Sequence, residues 1–354
     1  MGDGRVVESE LIQPPFIALL FIATRKREMI AYKPELTTAP KHGHKSLLYS
    51  DVVTDLNTLD FVDIAVLGIP YGSAYSIDEV SNDQTHAPTA VRQATDRALR
   101  SFERYDFDIG GPMMDNQPIR MVDCGDIAGD ARELNRHYDA AEAVVRKILA
   151  LGGMPLIIGG DHGIPIPVLR ALDSVGPITL IHIDAHLDWR QEVNGVTDGY
   201  SSPIRRASEM AHVGEIFQIG LRANGSARQE EVDAALAYGA HLITAHELHD
   251  AGPEDILSRI PDGGNYYITM DADGIDPTIM PAVNGPALGG VTYGEARKLI
   301  HGLVKKGRVV GMDIVEITPK KDVNNITAIT ACRFFINLIG MAVRAGYFKK
   351  TSAS

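Results

Sequence analysis

The sequence predicts an α/β fold in which one parallel β-sheet of about eight strands is flanked by helices. From Asp63 onwards, apolar runs of strand length end in glycine or polar residues and alternate with helix-length segments. These runs are continuously apolar, which is typical of strands that are covered on both faces. No Pro/Gly-rich linker interrupts the pattern within the 354 residues, so we expect one large domain.

The predicted elements follow one another as βαβ units. The strands are Ile64 to Gly68, Arg120 to Gly125, Met154 to Gly159, Ile178 to Ile183, Ile216 to Gly220, His241 to Thr244, Tyr266 to Met270 and Val309 to Val315. Apolar residues recur at helical spacing in Leu134 to Leu151, Ala227 to Tyr238, Tyr293 to Lys306 and Ile326 to Ala345.

Residues 1–60 carry scattered prolines and no sustained period. We interpret them as an N-terminal arm that packs on a neighbouring subunit or covers a cleft, with a disordered tail as the alternative. The single folded domain then spans residues 61–354.

Composition excludes several classes of protein. A net charge of −12 without a basic block argues against a sequence-independent nucleic-acid binder, which needs clustered cations to neutralise phosphates. Cys124 and Cys332 are too few for a disulfide framework and indicate a reducing compartment. The apolar segment Phe16 to Ala23 is too short to span a bilayer. We therefore expect a cytoplasmic protein that binds neither nucleic acid nor membrane.

Four of the predicted strands are followed by acidic and imidazole side chains. In an open parallel sheet, ligands bind at the carboxyl ends of the strands. One such acid is usually a helix cap, but four strands with this feature indicate a site. The side chains are Asp161 and His162 after the first of these strands, Asp184, His186 and Asp188 after the second, Asp271, Asp273 and Asp276 after the third, and Glu316 after the fourth.

Six of these side chains form a candidate ligand set for metal ions. Buried carboxylates are costly without compensating positive charge, and two divalent cations would supply it. A mixed nitrogen and oxygen set suits Mn²⁺, Ni²⁺, Fe²⁺, Zn²⁺ or Co²⁺. Two such ions would acidify a shared water, so the sequence predicts hydrolysis. The set is His162, Asp184, His186, Asp188, Asp271 and Asp273.

The same segments resemble the three signatures of the ureohydrolase family, which includes arginase and agmatinase. They are Gly159-Gly160-Asp161-His162, Asp184-Ala185-His186-Leu187-Asp188 and Met270-Asp271-Ala272-Asp273-Gly274-Ile275-Asp276-Pro277, with further matches at Gly68-Ile69-Pro70 and Val315-Glu316-Ile317-Thr318-Pro319. The resemblance runs from about Asp63 to about Ala345. It implies a three-layer α/β/α catalytic domain with an eight-stranded parallel sheet, and a homo-oligomer, usually a trimer or hexamer.

The resemblance also implies roles. His162, Asp184, Asp188 and either Asp271 or Asp273 would bind one ion or bridge the two, and His186 with the other aspartate would hold the second ion. Asp188 would also accept the proton of the attacking hydroxide, and Glu316 would hold the planar guanidinium by paired hydrogen bonds. Asp161 and Asp276 would act as caps or as acceptors for the ligand histidines.

The sequence departs from the family pattern beyond the second signature. The loop from Trp189 to Pro203 has no histidine to return a proton to the leaving amine, so another group or water must do so; Tyr200 is a candidate by proximity only. A bulky Trp189 would shorten the substrate channel. Arg190 would repel a distal ammonium and attract a carboxylate, unless it pairs with Glu192 or Asp198.

The loop Tyr71 to Ala87 also departs from the family pattern. Its acids, Asp78, Glu79 and Asp83, are either solvated or line the entrance for a cation.

These departures argue against arginase and towards a compact, cationic guanidino substrate. The altered loops resemble the branch of the family that contains guanidine hydrolase and the metformin or dimethylguanidine hydrolases. That resemblance implies guanidine, dimethylguanidine or the biguanide metformin as substrate, cleaved to urea or guanylurea, and Ni²⁺ or Mn²⁺ as the metal. The alternatives are an agmatinase, a guanidino-acid hydrolase resembling guanidinobutyrase, and a deacetylase of the related fold, which would lack the complete two-metal set. From a different class, the chain could be a non-catalytic subunit of a hetero-oligomer with a related chain, but such a subunit should have lost ligands.

Overall fold

The computed structural model describes residues 29–40, 46–72, 75–76, 82–129, 133–225 and 227–348. Its centre is a ten-stranded sheet whose eight longer strands are parallel, as predicted. The strands are β1 (Thr37–Thr38), β2 (Asp51–Val52), β3 (Ile64–Ile69), β4 (Met121–Ile127), β5 (Met154–Gly159), β6 (Ile178–Ile183), β7 (Val213–Leu221), β8 (His241–Thr244), β9 (Asn265–Asp271) and β10 (Arg308–Val315).

The strand order brings the predicted site strands together. It is β1-β4-β3-β5-β10-β9-β6-β7-β8, with β2 also paired to β4. The four strands that end in acids and imidazoles, β5, β10, β9 and β6, are therefore consecutive neighbours in the middle of the sheet. Because they are parallel, their carboxyl ends lie at one edge.

Helices cover both faces of the sheet, which gives the three layers that the family resemblance implies. They are α1 (Ala87–Gln93), α2 (Thr95–Ala98), α3 (Leu134–Ala150), α4 (Pro165–Ala171), α5 (Pro203–Ser208), α6 (Gln229–Tyr238), α7 (Ala245–Ala251), α8 (Pro253–Arg259), α9 (Tyr293–Lys306) and α10 (Ile326–Arg344). One apolar core joins the sheet to α1, α8, α9 and α10, and a second joins it to α3, α4, α5 and α6. The four predicted helices are confirmed, with ends that differ by no more than two residues.

Helix α10 is the one helix in the described ranges that is long and apolar enough to cross a bilayer. Most of its residues are buried, and it packs on α9, α1 and α2. Its hydrophobicity is therefore that of a core helix.

The described part of the predicted arm is packed on the domain. β1 and β2 pair with β4, and Leu47 and Leu48 are fully buried. The Leu47 amide donates to Asp123 at 2.9 Å and the Leu48 amide to the Thr95 hydroxyl at 3.0 Å. Residues 1–28 and 41–45 lie outside the described ranges, so an arm that contacts a neighbouring subunit or covers a cleft stays a prediction.

Candidate active site and metal centre

A cavity of about 500 Å³ lies at the carboxyl edge of the four central strands. Loops from opposite ends of the sequence reach it because the sheet order makes these strands neighbours. Its lining is Tyr75, Asn82, Gln84, Asp161, His162, His186, Asp188, Arg190, Val193, Tyr200, Ser201, Asp271, Asp273, Asn284, Gly285 and Glu316.

The His162 ring brings one nitrogen close to three carboxylates at once. Its Nδ1 lies 3.0 Å from Asp184, 3.1 Å from Asp188 and 3.0 Å from Asp271, and all four side chains are buried. Among the described residues, this Nδ1 has no partner at hydrogen-bonding angles. Short contacts without such angles are expected when ligand atoms point at a common centre rather than at one another.

The other ring nitrogen of His162 is held by a chain of hydrogen bonds. The Thr269 hydroxyl donates to Asp313 at 2.8 Å, so it must accept from Nε2–H of His162, which lies 3.0 Å away. Tyr267 donates to the other oxygen of Asp313 at 2.7 Å. This chain fixes the tautomer that leaves Nδ1 free to bind a cation.

The carboxylates around His162 require a positive charge. Burial lowers the pKa of His162, but Asp184, Asp188 and Asp271 more than offset it and raise that pKa well above its usual value. A proton or a metal ion at Nδ1 would meet this requirement. The donor set and its geometry therefore fit a divalent cation.

A second group lies beside the first and shares Asp184. The other oxygen of Asp184 is 3.4 Å from Nδ1 of His186, and Asp273 is 3.3 Å from the same nitrogen. These two carboxylates raise the pKa of His186 to about 12. The geometry thus places Asp271 on the His162 side and Asp273 on the His186 side, with Asp184 between two cation positions.

His182 is a buried contributor that the sequence analysis missed. Gln218 donates to Nδ1 of His182 at 3.0 Å, so the Nε2–H of His182 donates to Asp184 at 2.8 Å. The same Gln218 nitrogen donates to the Leu187 carbonyl at 2.7 Å. His182 precedes Asp184 by two positions on β6 and shares its face, which was the available signal.

Asp188 and Glu316 both adopt left-handed backbone conformations, with φ of 50° and 63°. Such conformations are uncommon for residues other than glycine, although asparagine and aspartate adopt them more readily than most, and they persist where the surroundings fix them. The Asp188 carbonyl accepts from the amides of Ile204 and Arg205 at the start of α5, and the Glu316 amide donates to Gly160. The backbone thus fixes the position of both candidate catalytic carboxylates.

Each oxygen of Glu316 already accepts one hydrogen bond. The His162 amide donates to Oε1 at 2.9 Å, and the Gln84 side chain donates to Oε2 at 2.9 Å. Burial and the nearby Asp161 raise the pKa of Glu316 to about 8. A cationic partner would therefore be strongly favoured beside it.

Asp161 and Asp276 lie in turns. Asp161 lines the cavity and accepts from the Gly163 amide at 2.9 Å. Asp276 accepts from the Thr278 amide at 2.9 Å and from the Gly290 amide at 3.2 Å, and its side chain is largely outside the core. These are turn contacts rather than helix caps, since α4 begins after Ile164 without a side-chain cap, and a role of either residue as an acceptor for the ligand histidines stays a prediction.

The expectation that Trp189 shortens the substrate channel is corrected by the structure. Trp189 is 3% exposed, belongs to the core beneath α4, α5 and α6, and packs on Tyr238 with ring centroids 5.7 Å apart. It is not part of the cavity lining. The left-handed conformation at Asp188 turns the chain here, so the next side chain enters the core.

Arg190 does line the cavity, and its charge is paired. Its Nε lies 2.5 Å from Glu231 on α6, and both side chains are mostly buried. The partner is thus neither Glu192, which is exposed, nor Asp198, which pairs with Arg170 at 2.6 Å. Sequence reasoning could not identify Glu231, because α6 reaches Arg190 only through the tertiary fold.

Tyr200 lines the cavity beside Tyr75, with ring centroids 4.5 Å apart. The Tyr75 hydroxyl accepts from the Ser201 amide at 2.9 Å, and Gly199 lies against the Tyr75 ring. Tyr200 therefore packs on Tyr75, and this aromatic pair anchors the loop from Trp189 to Pro203, which has no histidine.

The acids in the loop after β3 are only partly described. Asp78 and Glu79 lie outside the described residues. Asp83 accepts from the Lys320 amide at 2.7 Å and is not part of the cavity lining.

Arg222 was also missed, and it holds the loop that carries Asp273. Its guanidinium donates to several main-chain carbonyls and is partly buried among them. Arginine suits this task because its donors form a rigid fork. The acceptors are the carbonyls of Gly220 at 2.9 Å, Asp273 at 2.5 Å, Gly274 at 3.0 Å and Ala287 at 2.9 Å.

Comparisons with known proteins agree with this geometry. The profile of the arginase family matches residues 62–340. Agmatinase from Enterobacter sp. (strain 638) is 31% identical over 289 residues, which cover 78% of this chain and 86% of that protein.

Two solved structures are similar in fold. Proclavaminate amidino hydrolase from Streptomyces clavuligerus has a TM-score of 0.75 and 25% identity, covering 88% of this chain and all of that one. A hypothetical agmatinase from Burkholderia thailandensis has a TM-score of 0.71 and 25% identity, covering 90% of this chain and 98% of that one.

Proposed function

The chain belongs to the arginase family and is a metal-dependent amidinohydrolase, and from this premise we propose that its substrate is a compact guanidino compound. Guanidine, dimethylguanidine and the biguanide metformin are the candidates, with urea or guanylurea and an amine or ammonia as products. One observation supports this choice: apart from the candidate metal ligands, Asp161 and Glu316, the described lining is neutral except for Arg190, whose charge is paired with Glu231.

A compact substrate fits this lining better than a long one with a distal charge. The acidic residues of the described lining are the candidate metal ligands together with Asp161 and Glu316. Beyond them, the described lining offers aromatic rings, amides and glycine, so a distal ammonium finds no carboxylate partner there. A distal carboxylate would have to compete with Glu231 for Arg190.

The residues present would hold two divalent ions, which we propose to be Ni²⁺ or Mn²⁺. His162, Asp184, Asp188 and Asp271 would hold one, and Asp184, His186 and Asp273 the other. Bound there, the ions would supply a water of lowered pKa, and so a hydroxide at neutral pH. Glu316 accepts N–H groups of the guanidinium and orients its carbon. Asp188 accepts the proton that the water loses as it attacks.

Agmatine is the second candidate because a curated agmatinase is 31% identical to this chain. A guanidino acid is the third candidate; Arg190 would then bind its carboxylate after leaving its ion pair with Glu231. A non-catalytic subunit is disfavoured because all six ligand positions are filled by competent side chains. We retain the homo-oligomer, the hetero-oligomer with a related subunit and the cytoplasmic location as proposals; light scattering would measure the oligomer.

The test is urea or guanylurea release from guanidine, dimethylguanidine, metformin, guanidinobutyrate, agmatine and arginine, each after loading with Mn²⁺ or Ni²⁺. We expect about two ions per chain and the highest kcat/KM for one of the first three compounds. A tenfold preference for agmatine would replace the compact-substrate proposal with the agmatinase one. Protein that binds no metal after growth in either metal would contradict catalysis altogether.

Asp188→Asn tests the assigned proton acceptor. The variant keeps its shape but loses an anionic acceptor, and we expect its fold to persist while product release falls at least about a hundredfold. Turnover like that of the unmodified protein would contradict the role. Asp198→Asn, which alters an aspartate that pairs with Arg170 outside the cavity lining, is the matched control.

A further inference from the structure

We propose that Gln84 is a substrate-binding residue whose amide oxygen accepts an N–H group of the guanidinium held by Glu316. This inference rests on the proposed function and identifies how the chain recognises the planar cation. Gln84 lies in the short helical turn before α1, at 4% exposure, and lines the cavity together with Glu316.

The hydrogen bond to Glu316 determines how the Gln84 amide is oriented. With a guanidinium bound beside it, Glu316 is ionised and only accepts hydrogen bonds, so the NH₂ group of Gln84 must face Oε2, which lies 2.9 Å away. The amide oxygen is therefore the atom left for another partner. It is buried and has no hydrogen-bond partner within the described part of the chain.

A buried acceptor without a donor is unfavourable and is expected where a ligand supplies the donor. Asn82, two residues earlier on the same loop, repeats the feature, because its amide oxygen is also buried without a partner among the described residues. It lines the same cavity. Two unpartnered acceptors on one loop therefore line a site that is proposed to bind a guanidinium group, which carries only N–H donors.

The chemistry of a guanidinium matches this arrangement. The ion is planar, carries N–H donors along its edges and has no acceptor. Glu316 can still accept further hydrogen bonds, since a carboxylate offers about four acceptor positions and two are used. A neutral amide oxygen adds acceptors without adding negative charge to a site that already contains many carboxylates.

Two variants of Gln84 separate substrate binding from support of Glu316. Gln84→Met is unbranched and of similar length but has neither donor nor acceptor. Gln84→Glu keeps acceptor oxygens and, when it is ionised beside the bound cation, cannot donate to Glu316; its added negative charge is offset by that cation, so KM is compared at a pH high enough to ionise both carboxylates. If Gln84 binds the substrate, Gln84→Met raises KM for the best guanidino substrate on the order of ten- to a hundredfold with kcat within about threefold, while KM of Gln84→Glu stays within about threefold of the unmodified protein.

Equal losses in both variants would show that only the donor to Glu316 matters, and an unchanged KM in Gln84→Met would show no role; either result overturns the inference. Asn82→Ala, at a partly exposed position, gives an independent measurement and should raise KM by a smaller factor. If Gln84→Met does not fold, an unchanged KM in Asn82→Ala together with a large loss in Gln84→Glu overturns the inference.

The control is Gln117→Met, the same substitution in a groove away from the cavity, which should change neither constant. Metal content and melting temperature are measured for every variant, so that loss of metal or of fold is not mistaken for loss of binding. A wild-type protein that hydrolyses no guanidino compound would contradict the proposed function, whereas an active one with an insensitive Gln84 would contradict this inference alone.

Discussion

Replacing Thr269 with valine would test whether the hydrogen-bond chain behind His162 controls metal affinity. Valine has the shape of threonine but no hydroxyl. Thr269 is fully buried on β9, and its hydroxyl joins His162 at 3.0 Å to Asp313 at 2.8 Å. The substitution therefore removes both hydrogen bonds without opening a cavity.

The substitution should lower both the stability of the fold and the affinity for metal. The Nε2–H of His162 and one oxygen of Asp313 each lose a buried partner, which should lower the free energy of unfolding by about 1–3 kcal/mol. The tautomer with Nδ1 free is no longer favoured, and loss of such an orienting partner typically weakens metal binding about 10–100-fold. That range corresponds to about 1.4–2.7 kcal/mol of binding free energy.

The assay is chelator competition on the folded protein, followed by metal analysis and thermal unfolding of the metal-free form. Thr330→Val is the matched control. Thr330 lies on α10, is buried and is not part of the cavity lining, and its hydroxyl donates to the Ile279 carbonyl at 3.2 Å. The control should lose stability and keep its metal affinity. If Thr269→Val also kept its affinity within about twofold, the hydrogen-bond chain would have only a structural role.

Three further substitutions address other parts of the chain. Trp189→Leu should lower the free energy of unfolding by about 2 kcal/mol and leave KM unchanged, because Trp189 lies in the core. A changed KM in a stably folded variant would show instead that Trp189 contributes to the substrate channel. Glu231→Gln should lower KM for guanidinobutyrate several-fold by freeing Arg190, and an unchanged KM would show that Arg190 cannot reach the substrate. Burial lowers the pKa of His137 from 6.5 to about 4, so the unfolded chain binds more protons between these values and stability falls as the pH falls through them. From about pH 7.5 to about pH 5 this histidine should cost about 2 kcal/mol, and His137→Leu should lack that loss in urea unfolding; identical pH dependence in both proteins would refute the assignment.

The candidate metal ligands were predictable because their position depends on a general property of parallel sheets. Continuous apolar runs identify buried strands, and the polar residue that follows such a run must lie at the carboxyl edge. His162, Asp184 and Asp271 could therefore be placed together without knowledge of the strand order. The order itself, which makes β5, β10, β9 and β6 neighbours, is a tertiary property.

The residues that support the ligands could not be predicted in the same way. His182, Thr269 and Asp313 lie inside strands, where a polar side chain gives no sign of its partner on the neighbouring strand. Gln84 is separated from Glu316 by 232 positions. Trp189 was placed wrongly because adjacency in sequence to Asp188 does not imply adjacency in space after a left-handed residue.

Arg222 has a consequence for how the protein acquires its metal. It donates to the Asp273 and Gly274 carbonyls, so hydrogen bonds within the protein fix part of the conformation of the loop that carries Asp273. Metal sites that form only on binding draw on the ion for folding energy, and chelators unfold them. Because protein hydrogen bonds hold this loop, we expect a chelator to empty the site and a divalent ion to refill it without unfolding of the domain.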